Sequence, residues 1–229
     1  MATHFVTGAG AGIGQCVARR LAARGDELVL LARSTARAED LAADFPVARA
    51  VVADLADPAS LASALAGMLP ERLDSLIHVA GTVDLGTVAE QPPEVWRRTL
   101  DVNLAAPAEL TRLCLPALRA ARGQVVFVNS GSGLRANPHW SSYAASKHGL
   151  RALADALRGE VREDGVRVTS VYPGRTATGM QAKVHEQEGR EYDPSDWADP
   201  DSVATTVLMA LDLPRDAEVT DLRVNPGPR

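Results

Sequence analysis

The sequence is short of cysteine, lysine and aromatic residues, and each shortage excludes something. Cys16 and Cys114 are too few for a disulfide framework or a four-cysteine metal site, and no metal site is expected. Reduced thiols fit a cytoplasmic protein. No apolar run reaches the roughly 18 residues of a membrane span. Met1-Ala2-Thr3-His4-Phe5 lacks the basic start and apolar core of a signal peptide. Positive charge is not in excess: 24 Lys and Arg against 29 Asp and Glu leave a net charge of −5. That balance argues against nucleic acid or an anionic membrane as partner. Aromatic residues make up 4% of the chain, and Lys147 and Lys183 are its only lysines. A Tyr or Lys that falls into a motif is therefore informative.

What is present is apolar and orderly. With 46% hydrophobic residues in 229, the chain can fill the core of one α/β domain, and no linker, repeat or low-complexity tract divides it. Strands are expected at 4–7, 27–32, 48–52, 75–79, 124–128, 166–171 and 218–224. Helical stretches are expected at 14–24, 34–44, from Asp57-Pro58, at 95–121 with breaks near Pro107 and Pro116, at 141–163 and at 201–211. Ser34 or Thr35 and Asp57 are the expected N-caps. Strand–helix alternation of this kind predicts a doubly wound parallel sheet (a Rossmann fold) in three α/β/α layers, as a single domain over 1–229. The stretch 174–200 lacks clear periodicity and reads as a lid or substrate-binding loop, or as a stretch that carries short irregular helices.

Thr7-Gly8-Ala9-Gly10-Ala11-Gly12-Ile13-Gly14 lies between the first strand and the first helix. Glycine belongs where the chain turns sharply and where backbone must approach a pyrophosphate, and the helix N-terminus then meets the phosphates. No Gly-Lys-Ser/Thr follows, so this is not a P-loop. An NAD-selective fold carries an Asp or Glu at the end of the second strand for the ribose 2′-hydroxyl. Here Arg33 and Ser34 stand there instead. A guanidinium can grip a 2′-phosphate with two hydrogen bonds, which favours NADP(H) over NAD(H). Asp54, followed by Leu55, falls where a side chain meets the adenine edge.

Tyr143 and Lys147 are four residues apart at the start of a long helix, on one face. An ammonium beside a phenol favours the phenolate, so the pair can move a proton to or from an alcohol oxygen. Ser130 ends the fifth strand, where active sites of open parallel sheets lie, and its hydroxyl can donate to a carbonyl oxygen; Ser132 competes for that role.

Together these residues resemble the short-chain dehydrogenase/reductase family, in its short single-domain branch, over essentially the whole chain. Thr7 to Gly14 matches the family's cofactor loop and Asp54 its adenine-side Asp. Asn103, in Asp101-Val102-Asn103-Leu104, matches its helix Asn. Ser130, Tyr143 and Lys147 match its catalytic Ser, Tyr and Lys. Pro173-Gly174 and Thr176 match the motif along the nicotinamide. The resemblance implies hydride transfer between the pro-S face of NADPH and a carbonyl or secondary alcohol. Tyr143 is then the general acid in reduction and the base in oxidation. Lys147 holds the nicotinamide ribose and lowers the Tyr143 pKa. Ser130 polarises the carbonyl, and Asn103 helps hold a proton-relay water. Ala80-Gly81 contacts adenosine and Thr176 the carboxamide. The chain departs from the family's Asn-Asn-Ala-Gly with His78-Val79-Ala80-Gly81, and His78 reads as a packed residue. The family pattern also implies a homodimer or homotetramer built on helices Asn103 to Ala121 and Ser141 to Glu163.

Two other readings share parts of this pattern: a non-catalytic NAD(P)-binding sensor or scaffold, and a nucleotide-sugar epimerase or dehydratase. An intact Ser130, Tyr143 and Lys147 set disfavours the first. The short chain and the spacing of the glycines disfavour the second. Substrate contacts are expected from Leu134, Arg135, Asn137, His139, Trp140 and the 174–200 stretch. Trp140 and Met180 would form apolar walls, and Arg135, His139 and His185 would face a polar or anionic group.

Overall fold

The computed structural model describes residues 1–228. Seven parallel strands form one sheet: β1 (Thr3–Thr7), β2 (Glu27–Ala32), β3 (Arg49–Val52), β4 (Ser75–His78), β5 (Gln124–Val128), β6 (Arg167–Pro173) and β7 (Asp221–Val224). Their order is β3-β2-β1-β4-β5-β6-β7, so the winding reverses between β1 and β4. Residues alternate strictly between two apolar cores. Phe5, Val29, Leu31, Leu76, Val125 and Phe127 face one side. Val6, Leu28, Leu30, Ile77, Val126 and Val128 face the other. This is why β2 and β5 are apolar throughout: each is covered twice. The first core is closed by α3 (Leu61–Ala64), α5 (Ala106–Ala121) and α6 (Ser141–Val161). The second is closed by α1 (Gly12–Ala23), α2 (Thr35–Asp44) and α8 (Pro200–Asp212). The three-layer doubly wound sheet read from the sequence is the observed one.

Several boundaries differ for local reasons. Asp57 makes no side-chain cap; its carbonyl accepts from the Ser60 hydroxyl at 2.9 Å, and a 3₁₀ turn at Pro58–Ser60 leads into α3. The last strand begins at Asp221 rather than 218, because Glu218 and Val219 meet β6 by other bonds. The Val168 N–H donates to Glu218 Oε1 at 2.9 Å, and the Thr169 hydroxyl donates to the Val219 carbonyl at 2.7 Å. The long helix expected at 95–121 is α4 (Pro93–Leu100), a π turn (Asp101–Ala105) and α5. In that turn the Ala106 N–H donates five residues back, to the Asp101 carbonyl. Pro107 has no N–H to give the Asn103 carbonyl, so the register changes just ahead of it. Pro116 does not break α5, since Pro116 and the Arg112 whose carbonyl it leaves free both face solvent. The stretch 174–200 carries short helices, α7 (Gly179–Gln187) and a 3₁₀ turn (Pro194–Asp196), joined by irregular chain.

Candidate active site

The strand ends at the winding reversal open onto a cavity of about 530 Å³. A second cavity, about 550 Å³, continues from it over the ends of β2 and β3. Both are lined by Gly8, Ala11, Ala80 and Gly81, so they are two halves of one cleft. By the roles expected from the sequence they are a catalytic half, with Ser130, Tyr143 and Lys147, and an adenosine half, with Arg33 and Asp54.

The glycine loop forms the floor, and its glycines do different jobs. Gly8 has φ +73°, and a Cβ there would sit 2.8 Å from the Ala80 nitrogen. A Cβ on Gly14 would sit 2.2 Å from the Gly8 carbonyl oxygen, so the first turn of α1 packs directly on the loop. Gly10 meets only Leu41, at 3.9 Å. Its missing side chain keeps the cleft open. Ile13 lines the catalytic half beside Gly12 and Gly14. The Thr7 hydroxyl accepts from the Val79 and Ala80 N–H groups at 3.0 and 3.1 Å, tying β1 to the chain that leaves β4. The cradle is exposed backbone at a helix N-terminus, and it fits a dinucleotide pyrophosphate.

Ser130, Tyr143 and Lys147 all line the catalytic half. Ser130 leaves β5 and caps the short turn Gly131–Gly133, its Oγ accepting from the Ser132 N–H at 3.1 Å. Tyr143 and Lys147 lie one turn apart on α6 and are 6% and 4% exposed. Burial raises the Tyr143 pKa, and a hydrogen bond with Ser130 works against it. Burial pushes Lys147 down to about 8. Lys147 Nζ stands 5.8 Å from the Tyr143 ring centre and donates to the Val128 carbonyl at 3.2 Å. In this geometry burial, not Lys147, dominates the tyrosine, contrary to the family-based expectation of a lowered pKa.

Buried amides hold these groups still. Asn103 Oδ1 accepts from the Thr82 N–H at 2.8 Å, and its Nδ2 donates to the Thr82 carbonyl at 2.9 Å and to Ser146 Oγ at 3.0 Å. The Ser146 hydroxyl donates in turn to the Tyr143 carbonyl at 2.7 Å. Asn129 Nδ2 donates to the Lys147 carbonyl at 3.1 Å. Asn129 and Ser146 were not singled out from the sequence, although each flanks a residue that was. His78 is packed under the site as expected. Its Nε2 lies 2.9 Å from Thr111 Oγ1, and its ring stacks on Phe127 at 4.9 Å. Burial first, and then the nearby Lys147 charge, push its pKa down to about 3.

Arg33, Asp54 and Leu55 line the adenosine half, where Arg37, Arg98 and Val102 join them without having been anticipated. Asp54 Oδ1 already accepts from the Ala56 N–H at 2.9 Å. Ser34 is not part of the lining. Its hydroxyl accepts from the Arg37 N–H at 3.4 Å and caps α2. Pro173, Gly174 and Thr176 line the catalytic half, and the Thr176 hydroxyl donates to the Gly174 carbonyl at 3.1 Å.

Helix α7 covers that half. A Cβ on Gly12 would lie 3.0 Å from the Thr178 methyl, so the cap of α7 rests on the glycine loop. Lys183 Nζ donates to the Val83 carbonyl at 2.8 Å and to Asp84 Oδ1 at 2.5 Å. Arg135, Asn137, Trp140 and Met180 line the cavity, as expected, with Val83 and Val184. Three expected contacts are corrected. Leu134 and His139 are absent from the lining, and His139 is exposed at φ +68°. His185 is buried behind α7, with its ring 5.3 Å from both Tyr192 and Trp197, so it faces no ligand.

Among the described residues, no helix is long and apolar enough to cross a membrane. The chain is similar to the bovine dehydrogenase/reductase SDR family member 7B, 34% identical over 228 residues, covering 92% of this chain and 70% of the relative. The mouse protein of that name is 32% identical over 202 residues, which cover 83% of this chain and 62% of that one. Among solved structures it is similar to an alcohol dehydrogenase from the archaeon Thermococcus sibiricus complexed with 5-hydroxy-NADP. The TM-score there is 0.85 at 25% identity, over 100% of this chain and 99% of that one. The family model for short chain dehydrogenases matches residues 2–189. With a parallel sheet reversing over a glycine cradle and a half-buried Ser130 beside buried Tyr143 and Lys147 at its mouth, the chain belongs to the short-chain dehydrogenase/reductase family of oxidoreductases.

Proposed function

We propose that this oxidoreductase is an NADP(H)-preferring carbonyl reductase or secondary-alcohol dehydrogenase. The observation that carries the reading is the meeting of Ser130, Tyr143 and Lys147 in a cavity continuous with the glycine cradle. A nicotinamide, when bound, supplies or accepts the hydride. The protein's part is positioning and proton transfer. The Ser130 Oγ accepts from the Ser132 N–H and its hydroxyl is hydrogen-bonded with Tyr143; with a substrate bound, that hydroxyl turns to donate to the carbonyl oxygen. Tyr143 Oη gives its proton to that oxygen as charge develops, and the raised pKa keeps it protonated for the task. Lys147, near 8, remains mostly charged at neutral pH, and its ammonium offers hydrogen bonds to a ribose. Asn103 fixes both the chain after β4 and, through Ser146, the first turn of α6.

The preference for NADP(H) is supported by Arg33, which stands at the end of β2 and pairs with no carboxylate among the described residues. The Thermococcus relative was solved with an NADP derivative. A cytoplasmic homodimer or homotetramer joined through α5 and α6 is part of the reading, because Ala145, Ala152 and Ala156 on the outward face of α6 would allow close approach.

Tyr143→Phe tests the mechanism. NADPH consumption against a panel of aldehydes and ketones should fall by about 10²- to 10⁴-fold, while calorimetric NADPH affinity stays unchanged. A near-normal rate would remove Tyr143 from proton transfer.

A further inference from the structure

We infer that the substrate of this site is a carbonyl compound with an apolar body and an anionic head group, a carboxylate or a phosphate, which Arg135 holds. The inference rests on the carbonyl-reduction reading for where the reacting end lies. In a chain with more acidic than basic residues, no Asp or Glu lines the catalytic half of the cleft. Its three cations are Lys147, Arg175 and Arg135. Lys147 donates to the Val128 carbonyl beside Tyr143. Arg175 is forked onto Glu188 at 2.9 and 2.6 Å and lies over the Trp197 ring. Arg135 has no carboxylate within ion-pair distance among the described residues.

Its backbone is nonetheless fixed to the catalytic turn. The Arg135 N–H donates to the Gly131 carbonyl at 3.1 Å, one residue beyond Ser130. Val83, Trp140, Met180 and Val184 give the same cavity its apolar wall, and the Trp140 ring meets Tyr143 edge-on at 5.8 Å. A ligand that engages both Tyr143 and Arg135 in this cavity can set its carbonyl at the tyrosine, apolar carbons on that wall and a negative group on the cation. Arg135 is not needed for a 2′-phosphate, since it is absent from the adenosine half, which carries Arg33, Arg37 and Arg98 of its own. Arg135 is an exposed residue at the rim of the cavity, and a guanidinium binds carboxylate or phosphate through two parallel hydrogen bonds.

The test is calorimetric titration of the NADP⁺-loaded enzyme with octanoate, octyl phosphate and octanamide, none of which needs to be turned over. One or both anions should bind about tenfold tighter than the neutral amide, the expected size for a charge-assisted pair. The tighter of the two identifies the head group. Arg135→Gln should erase that advantage and leave octanamide and NADP⁺ affinities unchanged, and Arg135→Lys should keep part of it. Equal binding of all three probes, no binding of any, or an anion preference that survives in Arg135→Gln overturns the inference. A Tyr143→Phe enzyme with normal turnover would overturn the reduction reading instead and leave this difference in binding intact.

Discussion

The two halves of the cleft meet at Gly8, Ala11, Ala80 and Gly81, yet they are held by different means. In the catalytic half Tyr143 and Lys147 are buried, Ser130 is half-buried, and the backbone around them is pinned by buried amides. Asn103 bonds both sides of Thr82 and reaches Ser146, and Asn129 holds the Lys147 carbonyl. In the adenosine half the groups are exposed and charged. Arg33, Asp54 and Arg98 stand in solvent, and Arg37 pairs with Asp40 at 2.9 Å on the surface. The difference matches the two tasks. Proton transfer needs atoms held to a fraction of an ångström, whereas selecting a phosphate needs mainly a charge of the right sign within reach.

The glycine loop spans both halves and gives the sharpest way to break this contrast. Gly14→Ala forces a Cβ to within 2.2 Å of the Gly8 carbonyl, while Gly10→Ala meets only Leu41 at 3.9 Å. The first should cost more than about 3 kcal/mol of stability, and the second less than about 0.5 kcal/mol. Thermal unfolding of the two variants measures this, and equal losses would show that the two positions are packed alike. Arg33→Asp addresses the open half. It should weaken NADPH binding about 10- to 100-fold with little change for NADH and no change in melting temperature. Equal losses for both cofactors would take Arg33 out of phosphate recognition.

The smallest expected effect lies under the closed half. The folded chain refuses a proton on His78 until about pH 3, whereas the unfolded chain takes it near 6.5. The unfolded state thus binds more protons in that window, and stability falls as pH falls through it. Between pH 7 and 4.5 this amounts to about 2 kcal/mol. His78→Asn should flatten that loss, so that its melting temperature drops about 5 °C less over the same interval. An unchanged slope would mean that His78 is not the group that senses acid.

The sheet was legible because its signals are local. β2 and β5 are unbroken apolar runs, and the glycine loop lies between a strand and a helix where the fold requires it. Tyr143 and Lys147 were legible because helical spacing alone puts them on one face. What escaped was set by contacts between distant segments. The bounds of α7 within 174–200 are not readable because that helix has no strong apolar face. It is fixed instead by single contacts, Lys183 to Val83 and Asp84 and Thr178 on Gly12. His185 looked available for a ligand, but Tyr192 and Trp197 enclose it. Ser34 and Arg33 are neighbours in sequence, but one caps a helix and the other faces the cleft.

The sequence by itself determined the order of elements, the doubly covered parallel sheet and the shared helix face of Tyr143 and Lys147. Periodicity, glycine and a four-residue spacing act over short stretches of chain. Only the tertiary structure decided the state of that pair. It buried Tyr143 and Lys147 so that one pKa rose and the other fell to about 8. It brought Asn129 and Ser146 behind them, and it left Arg135 in a cavity without a carboxylate. Burial and the sign of nearby charge are summed over segments far apart in the chain, so no local pattern records them.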